Sequence, residues 1–280
     1  MPSIGNQRLL TGLLGTPVVL AAIFLLPGEA FFALMLILFC WAADEFSRIV
    51  RHWTPSAPLR ALWVLIPLLA IPLFLLLRQP SPTADPGLWL AGVLGAVVGV
   101  AAVLVLLGRT DIREGALAIG FLAFATPYFA VPAACLYRMQ VLSPWLVFLL
   151  LAIVWLGDTA AYYAGSRLGR HKMSPVVSPK KTWEGAAAGL LTSLVATAIW
   201  SVWRLGELSL PLLAVALVTA VAAQLGDLVE SLFKRGAGVK DSSALLPGHG
   251  GILDRLDAML LAAPVFLVAL TLFGLTTLTP

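Results

Sequence analysis

In the segment QLGDLVESLFKR, Asp227, Ser231, Lys234 and Arg235 recur at i, i+4, i+7 and i+8, so a helix lines them along one stripe carrying both signs of charge. Further on, Asp254 and Asp257 stand at i, i+3 and open another apolar run. The polar loop between these groups can bring carboxylates from two helices together. Hard oxygen ligands with no Cys or His cluster beside them suit Mg2+ or Mn2+ rather than zinc. The competing reading is a salt-bridged helix pair, with Asp227 and Asp254 facing Arg235 and Arg255. Such a pair needs neither the glycines of the loop nor His249.

The loop carries PGHGG at positions 247–251. Gly250 and Gly251 permit backbone conformations closed to other residues and leave amides free to approach an anion, directly ahead of a helix. The turn could cradle a phosphate, although it is no Walker A loop, because no GK[ST] occurs in the chain. His249 either contacts phosphate or hydrogen-bonds the loop. His52 and His171 read as interfacial loop residues.

A second informative stretch is WLGDTAAYYAGSRLGRHKMSPVVSPKKTWEG at 155–185. Asp158 follows a charge-free run, so it either ends a helix at the membrane boundary or sits inside at a cost of roughly 2.5–3.5 kcal/mol. At helical spacing it shares a face with Tyr162 and Gly165, and Ala160, Ala161 and Ala164 let a neighbouring helix approach closely. Arg167, Arg170, Lys172, Lys180 and Lys181 follow, before Thr182 caps the next helix. Such a cluster serves topology in many membrane proteins. In SPKKT, however, two lysines flank a helix start, where free N–H groups and the dipole also favour phosphate. Glu184 in the first turn reads as a dipole partner.

The elements that position these residues are transmembrane. The chain is 60% hydrophobic and 11% charged, against roughly 25% charged residues in a soluble domain. Charge-free spans run over 9–28, 61–77, 86–108, 115–137, 139–157, 185–203, 208–226 and 258–280, and a ninth is expected at about 30–50, where Asp44, Glu45 and Arg48 follow the apolar part. The first span reads as a helix rather than a secretory signal, since no clean small-x-small cleavage site follows it. The expected fold is therefore all-α: a polytopic integral membrane protein of about nine transmembrane helices. It forms one embedded domain over 1–280, with 1–142 as helical scaffold and 143–280 as the catalytic half. With nine spans, only Arg78, Arg138 and Arg204 of the 18 Lys and Arg residues fall on the carboxyl-terminal side. The positive-inside rule then puts the amino terminus in the cytoplasm and the carboxyl terminus outside. The net charge of +4 suits anionic headgroups and phosphorylated substrates. No basic stripe interleaved with aromatics points to nucleic acid. Cys40 and Cys135 lie in apolar stretches without metal-type spacing and read as packing residues.

The pattern S-x2-K-R-x4-K-D-x-S-x2-L-P-x-H-G-G-x2-D-R-x-D, complete from Ser231 to Asp257, resembles the signature of the phosphatidate cytidylyltransferase (CDP-diacylglycerol synthase) family, bacterial type. SPKKTWEG and the D-x3-Y-x2-G segment resemble it too. Arg170 and Val177 stand where lysine and isoleucine are expected. The resemblance implies that phosphatidic acid attacks the α-phosphorus of CTP, giving CDP-diacylglycerol and pyrophosphate, in the cell membrane with the site on its cytoplasmic face. It implies that Asp227 and Asp254, with Asp257, hold Mg2+ (or Mn2+), and it leaves room for a second cation. Lys234, Arg235 and Lys240 would neutralise the triphosphate, and Ser231 would contact a phosphate or the metal shell. Lys180 and Lys181 are candidates for the phosphatidate headgroup or the CTP tail, Asp158 and Tyr162 for the nucleotide or a second ion, and His249, Gly250, Gly251 and Arg255 for substrate. The acceptor phosphate is already ionised at neutral pH, its second pKa being near 6 by analogy with phosphorylated side chains, so no general base is required. A homodimer is left open.

Two other classes compete. A CTP-dependent lipid-alcohol kinase would share the architecture and differ in its products. A transporter would place paired Gly/Pro-interrupted segments in both halves, whereas the charges here crowd into the second. A CDP-alcohol phosphotransferase is disfavoured because no Asp is followed by Gly.

Overall fold

The computed structural model describes residues 4–78, 86–108, 110–243, 245 and 250–277. The helices are α1 (Ile4–Leu25), α2 (Gly28–Val50), α3 (Leu62–Arg78), α4 (Pro86–Leu107), α5 (Ile112–Leu142), α6 (Pro144–Leu168), α7 (Trp183–Leu205), α8 (Leu210–Gly236) and α9 (Leu253–Leu272). Strands β1 (Lys172–Ser174) and β2 (Ser178–Thr182) stand between α6 and α7. Among the described residues, seven helices are long and apolar enough to cross a membrane, and the apolar stretches Gly15–Leu25 and Ala91–Leu107 are shorter. The region around residues 30–50 is one unbroken helix, α2, which carries Asp44, Glu45 and Arg48 in its last two turns. The fold is that of an all-α polytopic membrane protein, with large apolar side chains such as Leu106, Leu107 and Ile199 left exposed on its helices as lipid-facing surface requires.

The chain divides into two compact units. The first comprises Met1–Arg138 and Gly236–Leu256. Its core is aromatic: Phe32 stacks on Phe74 with centroids 4.5 Å apart, Phe74 meets Tyr137 at 4.6 Å, and Phe46 packs edge-on against Phe129 at 5.7 Å. Pro67 and Pro72 lie inside α3 and Pro127 and Pro132 inside α5, positions that membrane helices tolerate when neighbours satisfy the freed carbonyls. Gly236 abuts the Trp53 ring, where an added Cβ would come within 2.7 Å of a ring carbon.

The second unit comprises Met139–Arg235 and Asp257–Pro280. Its helices α6 and α7 pack through a small-residue seam. Gly157, Ala161 and Gly165 on α6 oppose Gly185, Gly189 and Ser193 on α7, each set at i, i+4, i+8. A Cβ on Gly185 would meet the Ala161 carbonyl at 2.6 Å, and one on Gly189 the Gly157 carbonyl at 2.8 Å, so the backbones approach as only glycine allows. The Ser193 hydroxyl donates to the Ile153 carbonyl at 2.8 Å. The cation-rich connection folds back as an antiparallel β1–β2 hairpin. Thr182 ends β2 and caps α7, accepting a hydrogen bond from the Gly185 N–H at 3.2 Å.

Candidate functional site

In the second unit, three carboxylates converge. Asp227 and Glu230 share one face of α8 at i, i+3, and Asp257 comes from the first turns of α9. One oxygen from each lies within 4.8 Å of the others. Gly226 makes this possible: a Cβ there would meet the Asp257 carbonyl oxygen at 2.7 Å, so α8 and α9 touch backbone to backbone one residue before Asp227. Carboxylates from two helices thus meet at the end of α8 nearest the polar loop.

Two lysines answer the acids. Lys181 on β2 places Nζ 2.8 Å from Asp227 Oδ2 and donates to the Gln224 carbonyl at 3.5 Å. Lys234 places Nζ 2.5 Å from Glu230 Oε2, and both side chains are buried. Burying charge is costly unless it is paired, so the three acids and two ammonium groups form one interdependent cluster. Ser231 donates to Asp227 Oδ1 at 3.3 Å. Arg235 donates from Nε to the Val177 carbonyl at 3.4 Å, tying the end of α8 to the hairpin turn. Gln224 donates to the Ala186 carbonyl at 3.1 Å, fixing α8 against α7.

The other sequence-derived candidates in this unit stand as follows. Lys180 neighbours Lys181 on β2 but is exposed, because successive strand residues point to opposite faces. Asp158 and Tyr162 lie on the exposed side of α6, next to the glycine seam rather than in it, with Asp158 near enough for its charge to act on Asp257. Glu184 accepts from the His171 backbone N–H, and its Oε1 lies 2.6 Å from His171 Nδ1, so it braces the hairpin base as well as the start of α7. Glu230 is the acid that sequence reading passed over. Its spacing, i+3 from Asp227 and four residues before Lys234, puts it on the same stripe of α8.

In the first unit, Asp254 Oδ2 accepts from the Ser242 N–H at 3.0 Å and the Gly251 N–H at 2.7 Å, with the Ser242 hydroxyl 2.9 Å away. That oxygen joins Ser242 to Gly251. Gly250 has φ +76°, a left-handed conformation that favours glycine, and a side chain at either Gly250 or Gly251 would collide with the Asp254 or Glu45 carboxylates or Ser242. Lys240 and Arg255 are exposed. His249 lies outside the described residues.

What the second unit can do chemically follows from its donors. Three carboxylates give oxygen ligation suited to a hard divalent cation, and Lys181 and Lys234 supply fixed positive charge for phosphate oxygens. Apolar helices of membrane-spanning length bearing such a cluster define a multi-pass membrane protein with a polar, charge-paired site at its helix ends. The chain belongs to the cytidylyltransferase family, which it matches over residues 6–273. A relative named phosphatidate cytidylyltransferase from Bacillus subtilis is 35% identical over 96% of this chain and 98% of its own length. Relatives of the same name from Staphylococcus saprophyticus and Haemophilus influenzae are each 44% identical, over 48% and 43% of this chain. Those matches span about half of the relatives' own length, 53% and 44%.

Proposed function

We propose that the chain transfers a cytidylyl group from CTP to phosphatidic acid, releasing pyrophosphate and forming CDP-diacylglycerol. The observation that carries this reading is the cluster of Asp227, Glu230 and Asp257 with Lys181 and Lys234 in a membrane member of the cytidylyltransferase family.

Asp227, Glu230 and Asp257 are the proposed holders of Mg2+ or Mn2+, which when bound supplies Lewis-acid stabilisation of charge on the phosphates. The chain's own residues do the rest. Lys234, held buried beside Glu230, and Lys181, held beside Asp227, offset the repulsion between two anionic reactants and the charge that develops on the departing pyrophosphate. Arg235 extends that field along the triphosphate, and Lys240 carries the same charge in the signature segment. A phosphatidate oxygen attacks the α-phosphorus as the bond from that phosphorus to the bridging oxygen of the β-phosphate breaks. Positioning dominates the barrier, and the nucleophile is already an anion, so the site needs no histidine–carboxylate pair. Asp254, which the family resemblance also proposes as a metal ligand, accepts from the Ser242 and Gly251 N–H groups in the signature segment. The proposed topology puts the amino terminus and the site on the cytoplasmic side, where the basic residues accumulate.

The test uses purified protein in phosphatidate-containing micelles with Mg2+ and CTP labelled separately at the α- and γ-phosphates. The α-label should enter the lipid and the γ-label should leave as pyrophosphate. Transfer of the γ-label to lipid would instead identify a kinase, and no labelled lipid from either would overturn the assignment.

A further inference from the structure

Glu45 is an acid in the last two turns of the apolar helix α2, and the proposed reaction gives it no part. It is 1% exposed and stands between Ala42, Ala43 and Phe46, all buried. Among the described residues, the hydrogen bonds to its carboxylate come from the far end of the sequence. The Ser243 hydroxyl donates to Oε1 at 2.6 Å, the Leu253 N–H donates to Oε2 at 2.9 Å, and the Ser242 hydroxyl lies 2.8 Å from Oε2. Leu253 is the first residue of α9, so Glu45 accepts one of the amides that a helix start leaves unsatisfied, where the dipole favours negative charge. Ser242 has a single hydroxyl proton, available to Glu45 or to Asp254, so the two carboxylates are joined through one side chain. Gly251 closes the arrangement, since any Cβ there would overlap both Glu45 and Ser242.

We propose that Glu45 is a positioning residue for the signature loop: its carboxylate staples Ser242, Ser243 and the first amide of α9, and thereby sets the orientation of Asp254 and of the Gly250–Gly251 turn. The inference rests on the cytidylyltransfer reading for its catalytic consequence, but the staple itself is independent of it. The first 142 residues are then more than a scaffold, because α2 contributes the acid on which the loop is built. A carboxylate is required rather than an amide. The Leu253 N–H can only donate, and a Gln side chain that kept its oxygen there would turn its NH2 group towards Ser243, whose hydroxyl would have to give up its donation.

The experiment compares wild type, Glu45→Gln, the Ser242→Ala/Ser243→Ala double variant, the triple variant combining both, and Asp44→Asn as the neighbouring-acid control. Two readouts are taken in detergent with lipid: kcat and KM for CTP and for phosphatidate, and hydrogen exchange at the amides of Ser242, Gly251 and Leu253. Glu45→Gln should lower kcat by roughly 10- to 100-fold, as loss of an outer-sphere orienting partner does, with KM for phosphatidate within about twofold. Exchange at those amides should quicken by about tenfold or more while the rest of α2 keeps its protection. The triple variant should lose little beyond Glu45→Gln alone, since residues of one network are non-additive, and Asp44→Asn should match wild type. Unchanged exchange at the three amides in Glu45→Gln would overturn the proposal. So would a uniform loss of protection along α2 with wild-type kcat, which marks ordinary core destabilisation. If wild type makes no CDP-lipid, the reaction assignment fails alone, and the exchange measurement still decides the role of Glu45.

Discussion

Lys181 Nζ on β2 lies 2.8 Å from Asp227 Oδ2 on α8, while its neighbour Lys180 is exposed. The hairpin therefore delivers one ammonium group to the carboxylate cluster and withholds the other. The pair is under one-third exposed on each side, so it is less screened than a surface ion pair. Lys181→Ala should reduce kcat/KM for CTP by about 10- to 100-fold, the equivalent of a charge-assisted hydrogen bond of about 1.5–3 kcal/mol. Lys180→Ala should cost less than about threefold. Steady-state kinetics on the two variants side by side check the split, and equal losses would mean that the lysines act as one topogenic patch.

Asp227→Asn, Asp257→Asn and Glu230→Gln should each lower turnover by roughly a hundredfold or more, the scale of losing a preorganised electrostatic group in a water-poor site. Glu230→Gln should also remove the carboxylate 2.5 Å from the buried Lys234 ammonium group, so a fall in thermal stability should accompany its loss of activity. Wild-type rates in Asp227→Asn or Asp257→Asn would remove that residue from the proposed ligand set.

Chelation by EDTA should abolish CDP-lipid formation, and Mg2+ or Mn2+ should restore it where Zn2+ does not, because every proposed ligand is a hard oxygen. Titrating the metal back while following product formation gives the apparent affinity. Full activity in excess chelator would dismiss the divalent cation.

Gly226→Ala should force α8 and α9 apart at the Asp257 carbonyl, which an added Cβ would approach to 2.7 Å. Overpacking of this kind costs about 1–3 kcal/mol. Because Asp227 and Asp257 flank the contact, activity should fall further than the melting temperature alone accounts for. Thermal unfolding and kinetics on the same preparation separate the two effects.

The sequence exposed some features because their causes are local. Charge-free runs announce the helices, Thr182 ahead of Trp-Glu-Gly announces a cap, and the acids of α8 and α9 announce themselves by interrupting apolar runs. What stayed hidden depends on partners distant in the chain. Glu45 follows an apolar run and is as anomalous there as Asp158, but its donors are Ser242, Ser243 and Leu253, and nothing in a linear pattern joins them. The hairpin was obscured by its brevity, since three- and five-residue strands carry too little alternation to compete with the reading of a basic loop. Lys180 and Lys181 seemed equivalent until strand geometry sent them opposite ways.

The glycine seam between α6 and α7 has a mechanical corollary. With carbonyl against α-carbon and only the small Ala161 and Ser193 side chains between them, the two helices have no low-friction path for relative translation. A bilayer that thickens or thins would tilt the pair as a single beam. The β1–β2 hairpin bridges the ends of that beam, so Lys181 would keep its depth relative to both helices as the surrounding lipid changes.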